Sequence, residues 1–339
     1  MRGLLRRLLA LVPVLLGIVL ASFLLTRLLP GDPAVFFANS VTADAGTVAA
    51  LRARMGLDLP LWQQFLAYLA QLARGDLGQS IQTGQPVAAD LLQRLPASAE
   101  LTLVALGAAL LLALPLGIAA ALRPGSVIDH ACRLVSVAGV ALPSFVTGLL
   151  LIYLFYFRLG LAPEPIGRLD PFAIPPPRVT GFLLLDTLLA GNGAGFLAAA
   201  RQLVLPAATM ALFALAPLAR MTRAAMLDVL GSDFIRAARA HGLGRRRIVF
   251  SYALRNALLP VVTTLGMVFS SMLGANVLVE RVFAWPGIGS YALDALMGLD
   301  YAPVQGFMLV MAGLLVGVNL LVDLLSAIID PRSGLLRDA

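Results

Sequence analysis

The sequence predicts an all-α integral membrane protein with six transmembrane helices. Three observations carry that reading. Hydrophobic residues make up 60% of the 339 and charged residues 13%, with a mean hydropathy of +0.90. So few charges could not cover the surface of a water-soluble chain of this size. The apolar residues fall in runs long enough to cross a hydrocarbon core, which takes about 20 residues of helix. The arginines are divided unevenly between alternate loops, as the positive-inside tendency leads one to expect of a multi-spanning chain.

The first span is Leu8–Leu29, preceded by Arg2, Arg6 and Arg7. A basic start before an apolar core also describes a signal peptide. This run, however, is about 22 residues long and continues into Arg27 and LLPGDP with no small-x-small cleavage site, so it is read as a retained helix. Residues 45–74 hold two helix-like runs, TVAALRARMGL and LPLWQQFLAYLAQLARG, expected to pack on the outer ends of the spans.

Further spans follow at Leu101–Leu122, Leu134–Phe157, Leu203–Ala219, Leu258–Val279 and Val304–Ile329. The fourth span is short and carries Pro206 and Pro217, which predicts a kink or an extension at one end. Before it, PEPIGRLDPFAIPPPR (163–178) reads as an irregular loop. GFLLLDTLLA (181–190) is apolar but too short to cross, contains Asp186 and runs into the breaker GNGAG. A crossing there would also carry the arginine-rich loop to the outside, against the positive-inside tendency.

Six spans place both termini on one side. That side holds fifteen of the 25 arginines against six acids, and the other side ten against twelve. The last outer loop, 280–303, contains Arg281 as its one basic residue. The termini are therefore expected in the cytoplasm.

Every basic residue other than the two histidines is arginine. Without a lysine the chain cannot hold a GxxxxGK[ST] loop, whose lysine reaches the β- and γ-phosphates. A formal charge of +7 invites a nucleic-acid reading, but the arginines are scattered over loops with no basic domain to hold a strand. One cysteine, Cys132, excludes an intrachain disulfide and any multi-cysteine metal site. His130 and His241 lie in basic loops with no serine placed to complete a triad, so enzymatic chemistry and a bound metal or cofactor are not expected.

The densest basic stretch is FIRAARAHGLGRRRIVFSYALRNALLP (234–260), with six arginines in 27 residues between two spans. As a helix it places Ile235, Ala238 and Gly242 on one face, with Arg236, Arg239 and Arg246 elsewhere. A stripe of small residues lets a partner's backbone approach closely, and the surrounding arginines can pair with carboxylates. Gly242 and Gly244 end the helix, Gly242 as a left-handed cap. A plain positive-inside loop accounts for the charge but not for the stripe.

Other residues carry two readings. Asn319 and Asp323 share a face of the last span, near its cytoplasmic end, where a structural ion pair competes with a functional role. Asn276 either bonds across helices or lines a pathway. Gly313 and Gly317 form a small-xxx-small pair that suggests close helix packing. The turn in VFAWPGIG (282–289) is either an aromatic interface anchor or a gate or docking contact. The sequence singles out no substrate pocket.

The stretch FIRAARAHGL, Phe234 to Leu243, resembles the cytoplasmic EAA loop of the peptide/nickel branch of permease subunits in bacterial ATP-binding-cassette (ABC) importers. LLPGDP (28–33), MGLDLPLWQQFLAYL (55–69), GDLGQS (75–80), RMTRAAMLDVLGSDF (220–234), VFAWPGIG and NLLVDLLSAIIDPR (319–332) are similar to family segments in the same order, covering nearly the whole chain. Two departures stand out. Arg236 occupies the place of the general motif's glutamate, and DYAPVQ (300–305) has its proline one residue late.

The resemblance implies a type I ABC importer permease fold with a periplasmic helical insertion after the first helix. Residues 1–98 would form the first helix and periplasmic segment, and 99–331 a five-helix core with a coupling loop at 220–257. It also implies an ATPase-coupling set of Phe234, Ile235, Arg236, Ala237, Ala238, Arg239, Gly242 and Leu243. Expected partners are a second homologous permease, two cytoplasmic ATPases that bind ATP and magnesium, a periplasmic substrate-binding protein and membrane lipid, with no nucleic acid. The implied cargo is dipeptides or oligopeptides, with nickel complexes or glutathione as the alternative. A self-contained secondary transporter is the rival class, but it would want ionisable pairs near mid-membrane or internal repeats, and neither is visible.

Overall fold

The computed structural model describes residues 13, 16–24, 27, 45–54, 56–170 and 172–329. Most of the first predicted span lies outside them, although residues 16–24 are helical. The two runs before the second span form α1 (Ala45–Arg54) and α2 (Leu61–Ala73). Then come α3 (Val87–Leu122), α4 (Val127–Ala141), α5 (Ser144–Arg158), α6 (Leu183–Leu189), α7 (Gly193–Leu230), α8 (Asp233–Ala240), α9 (Arg245–Val282), α10 (Ile288–Met297) and α11 (Tyr301–Ile329). Four of these, α3, α7, α9 and α11, are long and apolar enough to cross a membrane.

Two predicted spans differ from expectation for a local reason. The span expected over Leu134–Phe157 is two helices, α4 and α5, broken at Leu142–Pro143. Leu142 precedes a proline, whose ring pushes it to an extended conformation (φ −104°, ψ 131°), and Pro143 then opens the next helix. The span expected over Leu203–Ala219 is longer at both ends, because α7 runs 38 residues through Pro206 and Pro217. At roughly 1.5 Å per residue it is far longer than the ~30 Å hydrocarbon core. Residues 181–190 form the short α6 and do not cross.

The bundle is organised around α7. Two thirds (67%) of its apolar window is buried within the chain, against 33% for α3 and α9 and 6% for α11. Lipid tails are as apolar as leucine, so helices in a bilayer are held by close contact rather than by escape from water. The face of α7 is accordingly built from Ala207, Ala211, Ala214, Ala216 and Ala219, all buried. Glycines meet it from the neighbouring helices. A Cβ at Gly117 of α3 would lie 2.6 Å from Thr222 Cβ and 2.9 Å from the Ala219 carbonyl oxygen, and one at Gly139 of α4 would lie 2.7 Å from Ala216 Cβ. The expected packing pair on α11, Gly313 and Gly317, meets nothing within 4 Å among the described residues. The close approach between α9 and α11 is made instead at Gly266, against Val322.

The end of the bundle remote from α8 is tied by buried polar groups. Glu280, fully buried near the end of α9, accepts hydrogen bonds from Ser98 Oγ (2.5 Å), Asn276 Nδ2 (2.7 Å) and the Ser290 amide (2.8 Å). Gly287 and Gly289 are glycines because this carboxylate fills the space: a Cβ at Gly287 would fall 2.2 Å from Glu280 Oε1. Trp285 is 2% exposed and donates Nε1–H to the Ala97 carbonyl (2.9 Å). The VFAWPGIG turn is thus an internal joint between α3, α9 and α10, not a ring set out at an interface. Asp300 fixes the loop before α3 by accepting from Ser80 Oγ (2.7 Å) and the Ile81 amide (2.7 Å).

Candidate coupling surface

The arginine-rich stretch folds into α8 at the opposite end. Gly231 closes α7, Ser232 adopts the extended backbone of an N-cap (φ −71°, ψ 156°), and Asp233 supplies an acid in the first turn, where the helix dipole favours it. The helix stops at a Schellman turn. Gly242 takes φ +74°, its amide donates to Arg239 O (3.0 Å), and the Leu243 amide donates to Ala238 O (3.2 Å). Gly244 then opens α9, whose first turns pass through a π-helical stretch, Ile248–Ala253. Single π turns inside α-helices recur at functional positions.

The expected site residues divide between two faces. Ile235 (0% exposed) and Ala238 (7%) are inserted into a cluster formed by Ile118 and Ala121 of α3, Ala225 and Met226 of α7, and Ile248, Val249 and Ala253 of α9. Leu243 packs at the edge of the same cluster. Phe234, Arg236, Ala237, Arg239 and Gly242 lie on the exposed side.

The stripe read from the sequence is split by the fold: Ile235 and Ala238 face their own protein, whereas Phe234, Ala237 and the arginines of α8 are exposed. The physical reason is that periodicity shows which residues share a face but not what covers that face. Gly242 is exposed, with nothing among the described residues within 4 Å of where a Cβ would sit. Its glycine is required by backbone conformation.

Beside α8 lies a cleft of about 560 Å³, lined in part by Ala121, Leu230, Arg239, Leu243, Arg245 and Val249. Arg236 forms an ion pair with Asp233 one turn away, both exposed, so it is worth little to stability.

A second group at this end was not read from the sequence as a unit. Asp129, fully buried in the first turn of α4, pairs with Arg223 of α7 (Nη2–Oδ2 3.0 Å) and Arg133 (3.0 Å) and accepts the Gly125 amide (2.9 Å). The Arg223 guanidinium, followed by the Gly125 amide, holds this carboxyl below the usual carboxylate range. The pair locks the α3–α4 turn to α7 just before α7 leads into α8. Its members are 94 residues apart, which leaves no local signal to join them. Among the described residues no group of three His, Cys, Asp or Glu side chains is placed to hold a metal ion.

The family described as "Binding-protein-dependent transport system inner membrane component" matches residues 113–334, and its companion N-terminal family matches residues 1–102. The chain is similar to the probable D,D-dipeptide transport system permease protein of Escherichia coli K12, with 46% identity over 324 residues, 96% of this chain and 95% of that one. It is 45% identical over 327 residues to the di/tripeptide transport system permease protein of Pseudomonas aeruginosa, covering 96% and 97% of the two chains. It is 37% identical over 328 residues to an oligopeptide transport system permease protein of Bacillus subtilis, again covering 96% and 97%.

Proposed function

Because this chain belongs to the family of binding-protein-dependent transport system inner membrane components, we propose that it works as the permease subunit of an ATP-driven importer carrying dipeptides or oligopeptides across a bacterial inner membrane. It is a transport subunit rather than an enzyme. Peptide is the cargo class common to the names of the three relatives above. ATP and magnesium bind to two cytoplasmic ATPase subunits, a second homologous permease completes the pathway, and a periplasmic binding protein delivers the substrate. The arginine-rich end of the bundle faces the cytoplasm.

One observation carries the mechanism. The buried residues of α8, Ile235 and Ala238, sit where the ends of α3, α7 and α9 converge. A partner that grips the exposed side of α8 therefore displaces three crossing helices at once. In this reading Phe234, Ala237 and Arg239 contact the ATPase, Ile235 and Ala238 transmit its movement, and the Gly242 turn lets α8 reverse into α9. Closure of the ATPases on ATP then rocks the bundle between inward- and outward-facing states.

The test is site-directed. The tagged chain is extracted gently from its own membranes with Ala237 replaced by a photo-crosslinking residue, and the adducts are identified by mass spectrometry. An adduct with an ATPase subunit is expected. Recovery of both ATPases without any adduct from residues 234–242 would overturn the coupling role while leaving the importer assignment in place.

A further inference from the structure

At the end of the bundle remote from α8, three guanidiniums line one pocket of about 380 Å³: Arg94 of α3, and Arg168 and Arg178 of the proline-rich loop. We propose that this pocket and the loop above it seat an acidic side chain of the external substrate-binding protein. The proposal rests on the importer reading and its orientation.

The chemistry of the pocket is unbalanced. Arg168 pairs with buried Glu100 (2.5 Å) and lies 5.9 Å from the centre of the Trp285 ring, yet its Nε is buried with no acceptor. Arg94 lies over the Tyr291 ring (4.9 Å), and Arg178 donates to the Gln93 carbonyl (2.8 Å). Neither forms an ion pair among the described residues.

Asp186 also lines the pocket, but its oxygens are already engaged. Oδ1 accepts the Thr180 amide and hydroxyl (2.7 Å each), and Oδ2 accepts the Gly181 amide (2.9 Å). Arg94 and Arg178 thus outnumber the one carboxylate left in the pocket, Asp186, whose oxygens are taken up by neutral donors, on the side of the protein where acids outnumber arginines overall. Planar guanidinium forks match a carboxylate in two-point contact.

The loop indicates how large the partner is. Between its anchored ends an Asp170 turn, in which the Phe172 amide donates to Asp170 Oδ1 (2.9 Å), projects Phe172 and Ile174 outward, 95% and 89% exposed. A free carboxylate or a short peptide would fill the pocket and leave this tip bare. A folded protein with an acidic residue beside an apolar patch would cover both, giving an apolar centre with a charged rim. The site also lies beyond the apolar run that starts at Leu101, since Arg94 is about two helical turns before it. That places it outside the hydrocarbon layer.

The experiment uses the whole transporter in lipid nanodiscs and the substrate-loaded binding protein of the same system, with affinity measured over a salt series. Arg178→Glu should weaken binding about tenfold and flatten its salt dependence. Phe172→Ser removes a side chain with no packing inside the protein. It should weaken binding severalfold and leave the salt dependence unchanged. Wild-type affinity and salt slope in both variants would overturn the proposal alone, as expected if the loop rests on lipid. No binding by the wild-type transporter would overturn it together with the importer reading.

Discussion

Replacing Ile235 by alanine should release α8 from the bundle while leaving its outer face intact. Ile235 is fully buried among residues of α3, α7 and α9. The substitution deletes three side-chain carbons, worth about 0.8 kcal/mol each by transfer, and leaves a cavity that raises the total to about 3 kcal/mol. Eight residues are too few to hold a helix by themselves, so α8 depends on this docking. At about 1.4 kcal/mol per factor of ten, the ratio of docked to undocked α8 falls roughly a hundredfold.

Hydrogen exchange of the purified complex reads this directly. The α8 amides and the capping amides of Gly242 and Leu243 should exchange about a hundredfold faster, while α11 is unchanged. Ala237→Asp, on the exposed side, is the control. It should leave exchange near wild type and reduce recovery of the ATPases. Unchanged protection of α8 in Ile235→Ala would refute the claim that this side chain anchors the helix.

Further outcomes follow from the same packing. Gly117→Val should cost about 2 kcal/mol or more, because its Cβ meets Thr222 and the Ala219 carbonyl, whereas Gly313→Ala, where an added methyl meets none of the described residues, should leave the thermal midpoint in detergent unchanged. Gly287→Ala should be more damaging still, since the added methyl would occupy the position of the Glu280 carboxylate; poor recovery of folded protein is the measurement. Asp129 has its carboxyl held below the usual range, so the stability it supplies is complete above about pH 4 and lost as the pH falls further towards its folded value. Thermal midpoints of wild type and Asp129→Asn at pH 7 and pH 3 should therefore differ more at pH 7, and an equal difference at both would contradict the role given to the Arg223 pair.

The apolar runs behind α3, α7, α9 and α11 were plain in the sequence because a helix in lipid must be apolar for about 20 residues whatever it packs against. The cap of α8 was legible too, since a glycine after a short helical run carries its own conformational signal. What could not be read was tertiary. The break at Leu142–Pro143 sits in an otherwise continuous apolar stretch, where the hydropathy hides the proline. Nothing near Ile235 says that its covering surface comes from residues more than a hundred positions earlier, such as Ile118. Glu280 stands at the start of the outer loop 280–303, and nothing in the sequence ties it to the two glycines of VFAWPGIG that make room for its carboxylate.

On the proposed function, this chain moves peptides only as part of an ATP-driven assembly. The direct measurement is uptake of a labelled dipeptide into proteoliposomes holding the chain with its co-purified permease and ATPase partners. Accumulation should require both internal-face ATP and the binding protein. Uptake by the chain alone, driven by an ion gradient and indifferent to ATP, would contradict it.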